Sequence, residues 1–127
     1  MTKKMEVYKC EKCGNIVEMT HGGIGQLVCC DQKMTKMEEQ TADYKTEKHV
    51  PIFGDSEKGV KVVVGSTAHP MTEEHYIEWI EVINGNYVNR KYLKPGDKPE
   101  AQFYVPKQNS LILRDYCNVH GLWKNEQ

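Results

Sequence analysis

His75-Tyr76-Ile77-Glu78-Trp79-Ile80-Glu81-Val82-Ile83 is followed by the pair Asn84-Gly85. By spacing alone this stretch would also serve as an amphipathic helix. Its β-branched and aromatic content, and the Asn-Gly turn that ends it, favour a strand entering a hairpin. The apolar parity changes between Trp79 and Ile80, which predicts a β-bulge at that step. Tyr87-Val88 and Tyr92-Leu93 form the returning arm. Upstream, Val60-Lys61-Val62-Val63-Val64 is β-branched and bounded by Gly59 and Gly65. Downstream, Lys94-Pro95-Gly96-Asp97-Lys98-Pro99 reads as a turn, Ala101 to Val105 as a strand, and Leu111-Ile112-Leu113 as the approach to Cys117. Short strands at this spacing, with no convincing helix, predict an all-β fold: an antiparallel, immunoglobulin-like β-sandwich over residues 48–127. The chain shows no internal repeat and no low-complexity tract.

The other end of the chain reads differently. Cys10-Glu11-Lys12-Cys13-Gly14 is a C-x-x-C knuckle closed by a glycine that can take positive φ and turn backbone N–H groups toward the sulfurs. Fifteen residues separate it from the adjacent pair Cys29-Cys30. Four thiolates from two loops make a closed sulfur tetrahedron, the geometry of zinc or of a single iron. A segment this short needs such a staple to fold. Successive side chains of extended backbone point to opposite sides, so Cys29 and Cys30 reach one ion only if the chain bends between them, and a distorted tetrahedron is expected. The domain organisation is therefore a small metal-knuckle module over 1–37, a linker over 38–47 and the sandwich over 48–127. The polar run 35–47, including Glu38-Glu39, is read as solvated surface. His21, in the Gly-rich stretch Thr20 to Gly25, is read as a surface-loop residue, because those glycines lack phosphate-loop spacing.

Composition narrows the function classes. The 127 residues are 39% hydrophobic and 28% charged, with a formal net charge of −1, and the pI is about 6.5. That balance supplies no electrostatic footprint for nucleic acid. No apolar run approaches the roughly 20 residues that cross a bilayer, and no apolar stretch follows the lysines of Met1 to Glu6, so no secretory signal is expected. Grouped cysteines in odd number point to metal binding in a reducing cytoplasm rather than to disulfides.

Four of the five histidines fall outside the small module, at His49, His69, His75 and His120. His120 stands three residues after Cys117, within reach of one ion from a single turn. All five candidate ligands fall at predicted strand ends or loops. Imidazoles with one thiolate suit iron, copper or zinc. Five donors leave one position of an octahedron open, the mark of a working site rather than a structural one. A non-enzymatic electron carrier, and a zinc-ribbon module followed by a copper-binding sandwich, use the same residues and stand as rival readings.

From Tyr8 to Trp123 the order of motifs resembles desulfoferrodoxin, the two-iron superoxide reductase of anaerobic and microaerophilic prokaryotes. The shared signatures are Cys-x-x-Cys at 10–13, Cys29-Cys30, Glu47-Lys48-His49-Val50-Pro51, His69-Pro70, His75 and Cys117-Asn118-Val119-His120-Gly121. The resemblance implies two irons per chain. A rubredoxin-like iron would be held by Cys10, Cys13, Cys29 and Cys30 of a desulforedoxin-like module. A catalytic iron would take His49, His69, His75 and His120 as equatorial ligands and Cys117 as the axial one. Glu47 would close the sixth position in the resting state, and Lys48 would stand beside it. The implied reaction reduces superoxide to hydrogen peroxide without making dioxygen. The implied partners are a rubredoxin-type electron donor and a second copy of the chain in a homodimer.

Overall fold

The computed structural model describes residues 1–42, 48–108 and 110–126. All regular elements among them are strands. The chain divides into two compact units, Met1–Glu38 and Glu39–Gln127.

In the first unit, β1 (Val7–Lys9) is flanked by β2 (Ile16–Glu18) and β5 (Thr35–Lys36) in an antiparallel sheet. β3 (Val28–Cys29) and β4 (Gln32–Lys33) form a separate hairpin. Strands of two or three residues bury little, and the buried apolar side chains here are Val7, Tyr8 and Cys10. Glu6 ties the sheet edge together. It accepts hydrogen bonds from the Tyr8 hydroxyl at 2.8 Å and the Lys3 N–H at 2.7 Å, and pairs with Lys36 at 3.0 Å. These bonds, from Tyr8 first, hold its carboxyl down at about 2. His21 is exposed in a loop, as expected.

The second unit holds seven strands in two antiparallel sheets. One sheet has the order β10 (Glu100–Phe103), β7 (Val60–Val64), β6 (Pro51–Gly54). The other runs β12 (Gly121–Glu126), β11 (Ile112–Cys117), β8 (Ile77–Asn84), β9 (Tyr87–Tyr92). Val60, Val62, Val64, Ala101 and Phe103 from the first sheet meet Ile77, Ile80, Val82, Leu113 and Cys117 from the second in one apolar core. The predicted sandwich is therefore present. The β8–β9 turn falls on Gly85-Asn86, one residue later than the expected Asn84-Gly85, because Asn84 still pairs with Tyr87; Gly85 takes φ +57°.

The expected position of the bulge also needs correcting. The irregularity in β8 is not between Trp79 and Ile80. Tyr116 pairs with Trp79 while Cys117 pairs with Ile77, so Glu78 is the extra residue and the register slips there. The sequence parity misled because β8 is central and buried on both faces. Ile80 and Val82 enter the apolar core, whereas Trp79 stacks on Tyr116 with ring centroids 6.0 Å apart. On that second face Glu81, fully buried, accepts from Arg90 Nε at 3.0 Å and from Arg114 Nε at 2.5 Å. The Arg90 guanidinium lies 4.7 Å over the Trp79 ring. Glu38 and Glu39 are exposed, as expected. Glu39 pairs with Arg114 at 3.2 Å and with Lys124 at 3.6 Å. Gln40 bridges in parallel to Trp123. Residues 39–40 are therefore pinned to the second unit, because a buried arginine recruits the acid. The linker expected over 38–47 has its last five positions outside the described residues.

Arg114 is 1% exposed and depends on Glu81 for charge compensation. Glu81→Ala is expected to cost about 3–5 kcal/mol of unfolding free energy, the usual penalty for stranding one member of a buried pair. Urea denaturation read by tryptophan fluorescence would measure it.

Candidate metal centres

The first centre is built from a turn and a bend. Cys10 directly follows β1, and the Gly14 N–H donates to the Cys10 carbonyl at 2.9 Å with Gly14 at φ +84°. This closes the knuckle and aims the Cys13 N–H at the Cys10 sulfur, 3.5 Å away. Across from it, Cys30 and Asp31 both adopt left-handed backbone, at φ +54° and +61°. That is the predicted bend between adjacent cysteines, and it lies in the β3–β4 hairpin turn. Cys29 Sγ comes 3.6 Å from Cys13 Sγ and 3.9 Å from Cys30 Sγ. The ligand atoms of Cys10, Cys13, Cys29 and Cys30 all lie within 4.8 Å of one another. The Cys13 N–H is the main cause that brings the Cys10 thiol down to about 6, whereas hydrogen bonding to Cys13 and then to the other sulfurs pushes Cys30 up to about 12. Four sulfurs this close cannot all ionise unless a cation sits among them, which fits a thiolate-bound metal.

The second centre assembles at paired strand ends. Pro51 at the start of β6 pairs with Val64 at the end of β7, while Cys117 at the end of β11 faces both Gly121 and Ile77. The loops at these ends carry the histidines. Two hydrogen bonds to backbone carbonyls fix the approach to His49: the Gly65 N–H donates to the Val50 carbonyl at 3.1 Å, and the Asn125 side-chain Nδ2 donates to the Pro51 carbonyl at 2.9 Å. The His49 ring also stacks on Trp123, centroids 4.6 Å apart.

The four imidazoles form a ring. Centroids are 4.7 Å apart for His49–His69, 4.7 Å for His69–His75, 5.0 Å for His75–His120 and 4.7 Å for His120–His49. The His49–His75 diagonal is longer, at 6.3 Å. Neighbouring rings stand nearly perpendicular, at 72–82°. The ligand atoms of His49, His69, His75 and Cys117 lie within 4.8 Å of one another. His120 turns Nδ1 inward, 3.0 Å from His49 Nε2 and 3.9 Å from Cys117 Sγ. Gln40 holds the His120 carbonyl through Nε2 at 2.7 Å.

The chemistry of this donor set fits a cation. His69 Nδ1 faces the Pro70 carbonyl at 2.6 Å, which places the ring proton on Nδ1 and leaves Nε2 with a lone pair. His69 Nε2 and His75 Nε2 are buried with no hydrogen-bond partner. Burial, the largest cause, brings His69 down to about 4 and lowers His75 as well; the charge of Lys48 adds to the effect on His75. Burial also raises the Cys117 thiol, against the N–H groups of His120 and Val119. Two orphaned nitrogens and a desolvated thiol share one need, a positive ion among them. Asp115, fully buried two residues before Cys117, is raised well above the ordinary carboxylate range by burial.

Of the nine expected metal ligands, eight fall into two groups whose ligand atoms lie within 4.8 Å of one another, and His120 stands against the second group through Nδ1. Lys48 is half-buried beside His49. Glu47 lies outside the described residues. Asn118, Gln40, Asn125 and Trp123 were not singled out as supports. Asn118 alone carried a signal, as the residue between two ligands in the Cys117 turn.

The family profile Desulfoferrodoxin matches residues 41–126, and Desulfoferrodoxin, N-terminal domain matches residues 2–37. The chain belongs to the desulfoferrodoxin family. A desulfoferrodoxin homolog of Archaeoglobus fulgidus is 57% identical over 125 residues, covering 98% of this chain and 99% of that one. The desulfoferrodoxin of Nitratidesulfovibrio vulgaris is 52% identical, covering 99% of both chains. Among solved structures, the superoxide reductase of Treponema pallidum is similar over 98% of this chain and 99% of its own. Its TM-score is 0.76 at 26% identity.

Metal-free protein carries the lowered histidines as an acid liability. Unfolded imidazoles bind protons near 6.5, while folded His69 resists down to about 4. The His69 contribution to stability is therefore complete above about pH 6.5 and is lost as pH drops toward 4. Because the raised Asp115 acts in the opposite sense, the test compares variants: the urea midpoint of metal-free His69→Phe is expected to fall less from pH 7 to pH 5 than that of wild type, and an equal fall would contradict the assignment.

Proposed function

We propose that this desulfoferrodoxin is a superoxide reductase, with His49, His69, His75, His120 and Cys117 as the ligands of its catalytic iron and Cys10, Cys13, Cys29 and Cys30 as the ligands of a second, rubredoxin-like iron. The observation that carries the reading is the ring of four imidazoles with Cys117 beside it, on a chain that matches a superoxide reductase over nearly its whole length. A ferrous iron held by these residues would supply the one electron that superoxide needs, and two protons would complete hydrogen peroxide.

The protein's own groups do the rest. Five donors from four imidazoles and one sulfur leave room for one small ligand. As a ligand, the Cys117 thiolate would donate electron density to the metal, as thiolates do in cysteine-ligated haem. The N–H groups of His120 and Val119 help ionise that sulfur, and the His120 N–H lies 3.4 Å from it. Lys48 brings an ammonium charge close enough to act on His75. In a chain of net charge −1, a local positive charge draws an anionic substrate inward. The same Nζ–H groups can order the water that delivers protons. By resemblance to the family, Glu47 would act as the resting-state cap.

The module boundaries we infer are 1–37 and 48–127, with 38–47 between them and residues 39–40 of that stretch held against the second unit. The grouping of Cys10, Cys13, Cys29 and Cys30 for metal rather than disulfides supports a reducing, cytoplasmic setting. Among the described residues no helix is long and apolar enough to cross a membrane. A rubredoxin-type donor and a homodimeric assembly are carried over from the family.

Mixing the reduced protein with superoxide is expected to give one hydrogen peroxide per superoxide and no dioxygen. Superoxide decay no faster than its spontaneous rate would overturn the assignment. Lys48→Ile is expected to slow capture on the order of tenfold at low ionic strength and to flatten its salt dependence. Stopped-flow rates at several salt concentrations would check both effects.

A further inference from the structure

The turn Cys117-Asn118-Val119-His120 carries two of the proposed ligands, and Asn118 lies between them. Its side chain reaches across to a segment about forty residues earlier. Asn118 Oδ1 accepts the Tyr76 N–H at 2.9 Å, and Nδ2 donates to the Glu74 carbonyl at 3.1 Å. The Asn118 N–H also donates to the Tyr76 carbonyl, at 3.2 Å. These groups flank His75 on both sides.

The His75 peptide groups themselves are closed by Thr72. Its hydroxyl accepts the His75 N–H at 3.1 Å, and its N–H donates to the His75 carbonyl at 3.0 Å. From the Glu74 carbonyl to the Tyr76 carbonyl, five consecutive backbone groups are satisfied, three by Asn118 and two by Thr72. Other ligands have heavier anchors. His49 is 6% exposed and His69 3%, so packing fixes them. His75 is only half-buried and follows the exposed residues Thr72, Glu73 and Glu74. Between the core residues Met71 and Ile77 this segment is held by hydrogen bonds, and three of the five originate in the turn that holds Cys117 and His120.

We propose that Asn118 is a positioning residue that locks His75 to the Cys117–His120 turn, so that three of the five ligands move as one unit. The inference rests on the reading of these residues as ligands of one ion. An asparagine is required because one end must accept from an N–H while the other donates to a carbonyl. Aspartate keeps the acceptor and loses the donor.

The test uses the full iron-loaded chain and reads the metal rather than superoxide turnover. Reduced wild type, Asn118→Ala and Asn118→Asp are challenged with a ferrous chelator, and the oxidised forms are compared in their sulfur-to-iron absorption band. The four-cysteine iron serves as internal reference. Supporting residues of metal ligands typically contribute a factor of about 10–100 to metal retention. Asn118→Ala is expected to release the histidine-site iron faster by that factor, with a shifted band and an unchanged reference chromophore. Asn118→Asp is expected to fall between, and it decides the matter if Asn118→Ala does not fold. Wild-type release and an unshifted band would overturn the proposal, even if melting temperature fell, since Asn118 would then only brace the loop. Wild type that retains no iron at the histidine site would instead overturn the ligand reading, and this inference with it.

Discussion

Convergent lone pairs without protons are the constraint on which the second unit depends. Four imidazoles crowd into a near-square with edges of 4.7–5.0 Å. The inward nitrogens of His69 and His75 find no hydrogen bond there, and the sulfur of Cys117 is desolvated. In a protein interior such groups cost stability unless something satisfies them. A metal ion does so at once. The sandwich accordingly brings together the start of β6, the end of β7, the start of β8 and the β11–β12 turn, and spends its apolar core holding those ends fixed.

The ligands are held by two different means. His49 and His69 are buried and positioned by packing and by hydrogen bonds to the Val50, Pro51 and Pro70 carbonyls. His75 and His120 lie toward solvent and are positioned by side-chain amides, Asn118 for one and Gln40 for the other. Rigidity on one side and hydrogen-bonded loops on the other suit a centre that must keep its geometry yet admit a small anion. The slip in register at Glu78 belongs to the same design, because it sets where Cys117 leaves the sheet.

The first centre solves a different electrostatic problem. Its donors are all potential anions, and their proximity separates them into a thiol near 6 and one near 12. Backbone N–H groups and left-handed residues at Cys30 and Asp31 aim the sulfurs, with little apolar packing to help. That unit relies on its metal for cohesion in a way the sandwich does not.

Much of this was legible in the chain itself. The C-x-x-C knuckle, the Cys29-Cys30 bend and the strands around Val62, Ile80 and Leu113 follow from local chemistry: glycine at positive φ, β-branched runs and a hairpin turn at Gly85. All nine proposed ligands were named from residue type and spacing. What tertiary structure decided was which groups meet at long range. The bulge at Glu78, the capture of Glu39 by buried Arg114, and the span from Asn118 to Glu74 and Tyr76 join residues many positions apart. Spacing records what a short segment can do, whereas hydrogen bonds between distant segments exist only once the core has closed around them.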